Sequence, residues 1–416
     1  MAVVTHNVLI ANRRCSKTLS PEPRIEALFN ILDKLIKTYL HTEKKREFLN
    51  MLEIIFSPVI FLFSLLIKKN NKTICIGSWF GEKYSDNSKY LYEEYLKYNP
   101  LGKNIRFIYK NKDLRDVIPQ SGNCRGVYCY SLEGFYVQLR SKTFICSVGP
   151  RDFLFGVVTP INIFIQLFHG LSIKKIGFDA MQSSVDKFKF KLRRYTTDNY
   201  DYVLSPIDIF DDSFTSAFMI KKEQLIRCGY PRWDGLDGLS GTKKNDGSKT
   251  VVGYLPTHRS EGLDAVVIAN ILDEADESLT GEEDKIEFKF KPHFYDAPHF
   301  RKSKYVNIEI VSSNIDVYEF LNTVDVLITD YSSVAFDFLS TGKPIVFLAP
   351  DLESYKNEKR GLFFDYDYFV KRYYTDIGQI FRDVIGRQDL NGMEYIPIDD
   401  TNNSRNLISI IDDIVN

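Results

Sequence analysis

The sequence predicts an α/β protein with two doubly wound domains. The chain has 416 residues, which is longer than one hydrophobic core usually supports. Short apolar and β-branched runs of strand length alternate with longer mixed stretches that suit helices, and this alternation is typical of parallel sheets. The alternation pauses once, at a stretch rich in Gly, Ser, Asp and Lys, and then resumes.

The first series of strand candidates begins at Thr73. It consists of the runs TICIGSW, NIRFIYK, TFICSVG and INIFIQLFHG. Stretches such as NSKYLYEEYLKYN lie between them and suit helices. These runs predict a first Rossmann-like domain over residues 71–245.

The second series follows the pause at Asp234–Thr250, whose composition is typical of a linker. Its strand candidates are VVGYLP, IEFKFKP, VNIEIV, VDVLITDYSS and KPIVFLAP. They predict a second Rossmann-like domain over residues 246–416. Because ligands of open α/β sheets bind at the carboxyl ends of the strands, we expect the active site in a cleft between the two domains.

Residues 1–70 are predicted to be helical, with apolar residues at helical spacing over 25–35. The segment Phe48–Ile67 is nearly long enough to span a bilayer, but Glu53 and Pro58 interrupt it. Two interpretations have equal weight: a membrane element with basic anchors (an in-plane helix or broken hairpin), or a buried helix. The third interpretation is a helix that spans the whole bilayer. The basic residues at its ends are Lys44, Lys45, Arg46, Lys68 and Lys69.

Composition narrows the class of partner and the compartment. The formal net charge of −1 argues against nucleic acid as the main partner, because no positive field would steer a polyanion. The six cysteines include no zinc-binding set, and a reduced, cytoplasmic setting fits them best. The basic run Lys187–Arg194 suits an acidic lipid or a polyanionic acceptor; a solvated face of an amphipathic element is the simpler reading.

A histidine is expected at the end of a strand in the first domain. The apolar run before it ends in His169-Gly170, and Gly170 permits a tight turn or close approach of a ligand. A histidine in this place is suited to act as a general base. The alternative is a packed or capping histidine.

An anion site is expected after the strand VDVLI. Asp330 ends this run, and Ser332 and Ser333 precede a predicted helix, where hydroxyls and backbone N–H groups favour a diphosphate. Simple N-capping by serine explains the same pattern. Asp337 follows on the helix, where it either accepts hydrogen bonds from ribose hydroxyls or is solvated.

Cations follow two other strands of the second domain. Lys291 and His293 end the strand FKFK, and Arg259 follows the strand of YLPTHR. Together they predict a pyrophosphate clamp, whereas each taken singly is equally a surface charge. No carboxylate cluster with metal spacing stands out in the sequence, so no metal or other cofactor is expected. It also lacks the GxGxxG of a Rossmann dehydrogenase.

At these residues the sequence resembles the CDP-glycerol glycerophosphotransferase family, the teichoic-acid primases and polymerases of bacterial envelopes. The segment FHGLSIKKIGFD, which contains His169 and Asp179, resembles the family's WHGTPLKKIGFD block. Four further blocks follow the family's order: YSDNSKYLYEEYL, YVLSPID with CGYPRWD, LITDYSSVAFDF and EKRGLFFD. They add Arg232 to the cleft candidates, and the resemblance extends over about Ile74–Phe369.

The resemblance implies a GT-B fold, with a CDP-activated donor bound mainly by the C-terminal domain. By matching positions, His169 would deprotonate the acceptor hydroxyl, whose oxygen attacks the β-phosphorus while CMP leaves. His293 would hold or polarise the diphosphate, and Arg360 would lie near the donor. Ser332 and Ser333 would contact phosphate. The implied acceptor is a cell-surface polymer or a lipid-linked molecule, met at the inner face of the cytoplasmic membrane.

The sequence departs from the family pattern beside both histidines. Phe168 replaces Trp, Leu171-Ser172 replaces Thr-Pro, and Phe294 replaces Pro. These changes predict a different acceptor-side wall and leave the polyol open between glycerol, ribitol and a related group. Two other functions compete with phosphotransfer: a GT-B glycosyltransferase that uses a nucleotide sugar, and a non-catalytic scaffold of a polymer-export complex.

Overall fold

A computed structural model describes most of the chain from Thr42 onward. The described residues are 42–196, 199–236, 249–257, 264–293, 296, 299–300, 304–312, 315–356, 361–394, 396 and 402–416. The chain divides into two compact units, Met1–Pro58 and Val59–Asn416, and both β-sheets lie in the second unit. The helical pattern predicted over residues 25–35 and most of the predicted linker lie outside the described residues.

Seven parallel strands form the first sheet. They are β1 Asn70–Gly77, β2 Asn104–Tyr109, β3 Cys124–Tyr128, β4 Ser141–Cys146, β5 Ile163–Gln166, β6 Tyr202–Leu204 and β7 Leu225–Ile226. Their order is β3-β2-β1-β4-β5-β6-β7, so the chain winds outward in one direction from β1 and in the other from β4. The central strands are buried over most of their length, as expected when helices cover both faces of a sheet.

Five α-helices precede or alternate with these strands along the described part of the chain. They are α1 Thr42–Leu66, α2 Asp86–Lys97, α3 Leu132–Arg140, α4 Ser184–Thr196 and α5 Asp211–Phe218. Ser131 begins α3 by accepting a hydrogen bond of 2.9 Å from the N–H of Gly134. Gly134 has no room for a side chain, because a Cβ would lie 2.1 Å from the carbonyl oxygen of Tyr128. The sequence therefore fixes both the start of α3 and its close contact with the end of β3.

Six parallel strands form the second sheet. They are β8 Thr250–Leu255, β9 Ile286–Phe290, β10 Ile308–Ile310, β11 Val326–Thr329, β12 Ile345–Leu348 and β13 Tyr373–Tyr374, in the order β10-β9-β8-β11-β12-β13. Successive side chains of β11 point to opposite faces. Leu327 enters the core that also contains the first sheet, whereas Val326 and Ile328 enter a separate core on the other face.

The described helices of the second half are shorter, and the last one returns to the first half. They are α6 Asp264–Ser278, α7 Val317–Asn322, α8 Val334–Leu339, α9 Leu352–Lys356, α10 Ile377–Ile385 and α11 Asn403–Val415. Helix α11 packs against α2. The Asp234 carboxylate accepts hydrogen bonds of 2.8 and 2.7 Å from the N–H groups of Asn403 and Ser404, which begin α11. The boundary predicted between residues 245 and 246 stays a prediction, but α11 is attached to the first half.

Helix α1 has one buried and one exposed face in its second half. Ile60 and Ser64 are buried, and the Ser64 hydroxyl donates a 2.5 Å hydrogen bond to the carbonyl oxygen of Val157. On the opposite face Leu62 and Leu66 are 60% and 82% exposed. Among the described residues, no helix has both the length and the hydropathy that crossing a bilayer requires.

The predicted α/β fold with two Rossmann-like domains is confirmed, and so are the nine predicted strand segments, each of which contains a strand. The strands that the sequence did not reveal are β3, β6, β7 and β13. Each lies at or next to a sheet edge and has two to five residues. Strands β6, β7 and β13 have three residues or fewer, and Arg125 and Gly126 interrupt β3, so none of the four contains a long apolar run.

Candidate functional site

Most of the predicted site residues lie in loops that follow the central strands. In the first sheet the winding reverses between β1 and β4, and in the second it reverses between β8 and β11. Ligands of doubly wound folds bind at such reversal points, beyond the carboxyl ends of the strands. His169 follows β5, which is the neighbour of β4, and Asp330 follows β11 directly.

His169 is half-buried and contacts groups from two neighbouring loops. Its Nδ1 lies 3.4 Å from the carbonyl oxygen of Ser147, and its ring centroid lies 5.7 Å from that of Trp79. A carbonyl oxygen only accepts, so this contact suits the tautomer of His169 that carries its proton on Nδ1. In that tautomer the basic lone pair is on Nε2, which is the form that a general base requires.

Phe168, which precedes the histidine, packs into the core. Its ring centroid lies 5.8 Å from that of Phe214 and 5.2 Å from that of Phe218, and the side chain is 7% exposed. The carbonyl oxygen of Phe168 accepts a 2.8 Å hydrogen bond from the Asn87 side chain. The aromatic ring of Phe168 thus packs between the core and the His169 ring, whose centroid is 4.2 Å away. The predicted change in the acceptor-side wall stays a prediction.

Several non-glycine residues near His169 have a left-handed backbone. Trp79, Phe80 and Phe168 have φ values of 44°, 60° and 58°, and Asp86 has a φ of 64°. Bulky side chains rarely adopt this conformation, which costs of order 1–3 kcal/mol per residue. Such strain persists only where the surrounding contacts enforce it, and it is concentrated at functional sites.

The buried carboxylate of Asp152 supplies some of these contacts. It accepts hydrogen bonds of 2.6 and 3.2 Å from the N–H groups of Phe80 and Val148, which lie in the loops after β1 and β4. Burial raises the pKa of Asp152 to about 6, although the backbone N–H groups oppose that rise. Asp152 thereby joins the loop of Trp79 to the loop of Ser147, the two loops that contact the His169 ring.

Gly170 lies directly against the second half of the chain. Its φ is 149°, and a Cβ at this position would lie 2.6 Å from the hydroxyl oxygen of Ser333. No side chain fits in that space. The close approach brings the His169 loop of the first sheet onto the Ser332-Ser333 loop of the second.

The loop after β11 is held by its aspartate. The buried Asp330 side chain accepts hydrogen bonds of 2.9 Å from the Thr257 N–H and 2.6 Å from its hydroxyl, so it links the ends of β11 and β8. Ser332 and Ser333 are both half-buried. Helix α8 after them has only six residues, and Ser333 makes no side-chain capping bond to it. Their contact with phosphate stays a prediction.

Lys291 is buried, and its ammonium group donates hydrogen bonds to the carbonyl oxygens of Ser312 at 3.1 Å and Ile315 at 2.7 Å. Burial lowers the pKa of Lys291 to about 8, with Asp316 opposing the shift and Lys83 of the first half adding to it. The lysine therefore organises the second-sheet loop and brings positive charge toward the first half.

Arg232 forms a buried ion-pair network between the two halves. Its guanidinium donates to Asp337 Oδ1 at 2.8 and 3.1 Å, to Asp337 Oδ2 at 3.1 Å, and to Asp86 at 2.8 Å. Burial alone would lower the pKa of Arg232, but the facing charges, Asp337 first, hold this pKa well above its ordinary value. The side chain is 1% exposed, so this arginine acts as a structural clamp.

Asp337 contradicts one of the two expectations drawn from the sequence, and its contact with ribose hydroxyls stays a prediction. It is 4% exposed, which excludes a solvated carboxylate. Besides the guanidinium, the Trp233 indole donates to it at 2.8 Å and the Tyr318 hydroxyl at 3.2 Å. Both oxygens accept bonds from protein groups, so a ribose hydroxyl would have to compete with a buried arginine for them.

The remaining predicted residues are placed as follows. The Asp179 side chain accepts a 2.9 Å hydrogen bond from the Ser216 hydroxyl and lines a separate cavity. His293 is half-buried, and its carbonyl oxygen accepts a 2.9 Å hydrogen bond from the N–H of Asp296. Arg259 and Arg360 lie outside the described residues, so their predicted roles stay predictions.

Sequence reasoning did not single out Trp79, Asp86, Asn87 or Asp152. Trp79 had a usable signal, because it directly follows a central strand. Asp86 and Asn87 lie in the YSDNSK block. The family resemblance singles out this block but does not show which residues it contacts. Asp152 carried no signal, because its role depends on two loops that meet only in the folded chain.

The model of one protein family, CDP-glycerol:poly(glycerophosphate) glycerophosphotransferase, matches residues 59–377. The chain belongs to this family. The resemblance found in the motifs is thus confirmed over most of the chain, including both sheets.

Curated relatives of this glycerophosphotransferase-family chain include teichoic acid enzymes of staphylococci. A teichoic acid glycerol-phosphate transferase of Staphylococcus aureus is 28% identical over 73% of this chain and 81% of its own length. A teichoic acid poly(glycerol phosphate) polymerase of Staphylococcus epidermidis is 31% identical over 73% of this chain, which spans 44% of that polymerase. The solved wall teichoic acid polymerase TagF shares the GT-B-type fold, with a TM-score of 0.65, 23% identity, and coverage of 91% of this chain and 99% of that one.

The Arg232 network predicts a large effect of Asp337→Ala on stability. Removing one partner of a buried ion pair typically costs about 3–5 kcal/mol, because the other charge stays buried without compensation. We expect the free energy of unfolding in urea to fall by that amount. The control is Glu394→Gln, which breaks the half-exposed 3.0 Å pair with Lys371 and is expected to cost about 1 kcal/mol or less. Equal losses in the two variants would contradict the clamp.

Proposed function

We propose that the chain transfers a polyol phosphate from a CDP-activated donor to a hydroxyl group of a cell-surface polymer or lipid-linked acceptor and releases CMP. Membership of the glycerophosphotransferase family supports this reaction. The observation that carries the assignment to a site is the contact of Gly170 with Ser333, because it joins the loop of a candidate base to the loop of a candidate phosphate site. Glycerol phosphate is the first polyol to test, and ribitol phosphate the second.

In this proposal His169 is the general base. Its Nε2 accepts the proton of the acceptor hydroxyl while the oxygen forms a bond to the donor β-phosphorus. The bond from that phosphorus to the oxygen bridging it to the CMP phosphorus breaks, and CMP carries the electron pair away. The Ser147 carbonyl and the Trp79 ring hold the imidazole, so proton transfer starts from a preset orientation.

The donor diphosphate is proposed to lie against the second-sheet loops. Ser332 and Ser333 offer hydroxyls, while Lys291 and His293 end the neighbouring part of the sheet. Lys291 keeps its ammonium on two carbonyl oxygens, so it supplies positive charge without having to move. Arg259 and Arg360 complete the proposed clamp. Phosphoryl transfer depends mainly on positioning and charge neutralisation, which these groups provide.

Removal of the proposed base tests the reaction. Without a general base the rate typically falls ~10²–10⁴-fold. We expect His169→Ala to lower acceptor-dependent CMP release by this factor, with little change in the KM for the donor or in the melting temperature. The matched control is His299→Ala, because His299 is exposed. This variant is expected to release CMP at the normal rate. Normal turnover by His169→Ala would sink the assignment of the base.

We also propose that the chain associates with the membrane surface through the exposed face of α1. The buried Ile60 and Ser64 attach this helix, so Leu62, Phe63 and Leu66 on the other face remain available to lipid. In this proposal the buried-helix interpretation applies to one face of the segment and the membrane interpretation to the other. Helix α4 adds a second amphipathic element, which suits the proposal. Its exposed apolar side chains Val185, Phe188 and Leu192 are spaced by three and four residues, among basic residues of the run Lys187–Arg194.

Substitution of the exposed α1 face tests this attachment. We expect the variant Leu62→Ser/Phe63→Ser/Leu66→Ser to sediment with phosphatidylglycerol vesicles at least about tenfold more weakly, because burial of each such side chain contributes about 1.5–3 kcal/mol. The buried Ile60 and Ser64 stay in place, so folding is retained. The control Val306→Ser changes a side chain that is 89% exposed elsewhere. Unchanged sedimentation of the triple variant would refute the attachment through α1.

A further inference from the structure

The first turn of helix α2 contains two buried polar residues whose side chains bond to other parts of the chain. Asn87 and Ser88 are both 0% exposed and follow Asp86, the first residue of the helix. Neither is needed to fill the position before the helix, which Ser85 occupies without a side-chain capping bond. Buried polar groups cost free energy unless they are hydrogen-bonded, so the partners of these two side chains indicate their role.

Asn87 holds the peptide group that precedes His169. Its Nδ2 donates a 2.8 Å hydrogen bond to the carbonyl oxygen of Phe168, and its Oδ1 accepts one of 3.2 Å from the N–H of Arg232. Because one partner only accepts and the other only donates, these two bonds fix the orientation of the amide. The carbonyl of Phe168 lies in the same peptide plane as the N–H of His169. Asn87 therefore controls the direction in which the His169 side chain leaves the backbone.

A second buried amide holds the other side of Phe168. The N–H of Phe168 donates a 3.0 Å hydrogen bond to Gln166 Oε1, and Gln166 Nε2 donates one of 3.0 Å to the carbonyl oxygen of Val148. Phe168 has a φ of 58°, a conformation that bulky residues rarely adopt. Asn87 and Gln166 thus enforce this strained residue from both sides, and its backbone in turn places His169.

Ser88 holds the residue whose carbonyl group contacts the His169 ring. Its Oγ lies 2.6 Å from the carbonyl oxygen of Gly77 and 2.6 Å from the hydroxyl oxygen of Ser147, which also accepts a 3.2 Å bond from the Ser88 N–H. Since a carbonyl oxygen only accepts, Ser88 donates to Gly77 and accepts the proton of the Ser147 hydroxyl. The carbonyl oxygen of Ser147 lies 3.4 Å from His169 Nδ1. Ser88 therefore fixes the group that suits a proton on Nδ1.

We propose that Asn87 and Ser88 are positioning residues for the general base. Asn87 sets the backbone from which the imidazole extends. Ser88, through Ser147, holds the carbonyl that favours the proton on Nδ1 and the lone pair on Nε2. Both side chains are fully buried, so they act through His169 and not on the substrate. The inference rests on the proposed function, in which Nε2 of His169 takes the proton of the acceptor hydroxyl.

Kinetics of Asn87→Ala and Ser88→Ala test this role. We expect each variant to lower the kcat of acceptor-dependent CMP release about 10–100-fold, because misplacement of a catalytic group slows a reaction by up to that factor. The KM for the donor is expected to stay unchanged, since the proposed diphosphate site belongs to the second-sheet loops. Asn87→Ser leaves a small hydroxyl in the buried space and replaces Asn87→Ala if that variant does not fold. Wild-type kcat in these variants would overturn the inference.

Two buried residues at the amino ends of β4 and β5, far along the strands from His169, supply matched controls. Asn162 is 4% exposed; its Nδ2 donates to the carbonyl oxygen of Ser141 at 2.9 Å, and its Oδ1 accepts from the N–H of Thr159 at 2.9 Å. Ser141 is 0% exposed, and its hydroxyl donates to the carbonyl oxygen of Thr73 at 2.9 Å. Asn162→Ala and Ser141→Ala therefore remove the same kinds of bond elsewhere in the sheet.

The two control variants are expected to keep the wild-type kcat even where their melting temperatures fall as far as those of Asn87→Ala and Ser88→Ala. Loss of kcat in the controls to the same extent would give all four side chains a purely structural role. That outcome would contradict the positioning role of Asn87 and Ser88.

Nitrogen NMR of the imidazole rings gives a readout that does not depend on turnover. The chain has six histidines, so isotope labelling of histidine gives six ring systems, and the spectrum of His169→Ala identifies the signals of His169. We expect neutral His169 to carry its proton on Nδ1 in the wild-type chain and in both controls. In Ser88→Ala we expect a mixture of the two tautomers. Ser147→Ala removes the same hydroxyl bond from the other side and is expected to give the same mixture.

The NMR result separates this inference from the proposed reaction. The predicted change of tautomer in a chain that never releases CMP would reject the proposed function alone and keep the positioning role. An unchanged Nδ1 tautomer in both Ser88→Ala and Ser147→Ala would overturn the role of Ser88, whether or not CMP is released.

Discussion

The buried guanidinium of Arg232 is the interaction on which the arrangement of the two halves depends. It comes from the CGYPRWD segment and reaches Asp86 on one side and Asp337 on the other. Two residues later, the Asp234 carboxylate accepts hydrogen bonds from the first N–H groups of helix α11, which packs back on α2. One short segment thus joins the first sheet, the second sheet and the C-terminal helix.

This clamp also reaches the proposed base through two intermediate contacts. The Asp86 carboxylate accepts a 3.2 Å hydrogen bond from the Trp79 indole, and the Trp79 ring lies against His169. The left-handed backbone of Trp79 and Phe168 is costly in isolation, so the ion pair and the buried Asp152 compensate for strain around the histidine. The stability of the clamp and the orientation of the base are therefore coupled in the same network.

The sequence predicted the fold class and the central strands because their buried runs are long enough to show a pattern. It also placed His169, Gly170 and the TDYSS loop at strand ends, and the structure brings Gly170 and Ser333 together. It did not reveal that Asp337 and Arg232 form a buried ion pair, because two residues 105 positions apart leave no local signal in the sequence. The support from Asp152 was hidden for the same reason.

The released nucleotide distinguishes transfer of a polyol phosphate from transfer of a sugar. Purified chain is incubated with CDP-glycerol or CDP-ribitol and a polyol-phosphate acceptor, and the nucleotide is separated by chromatography while phosphorus NMR follows the polymer. Phosphotransfer predicts CMP in equal number with new phosphodiester bonds, because the β-phosphorus is the atom attacked. Release of CDP, or turnover only with a nucleotide sugar, would contradict phosphotransfer and favour glycosyl transfer on the same fold.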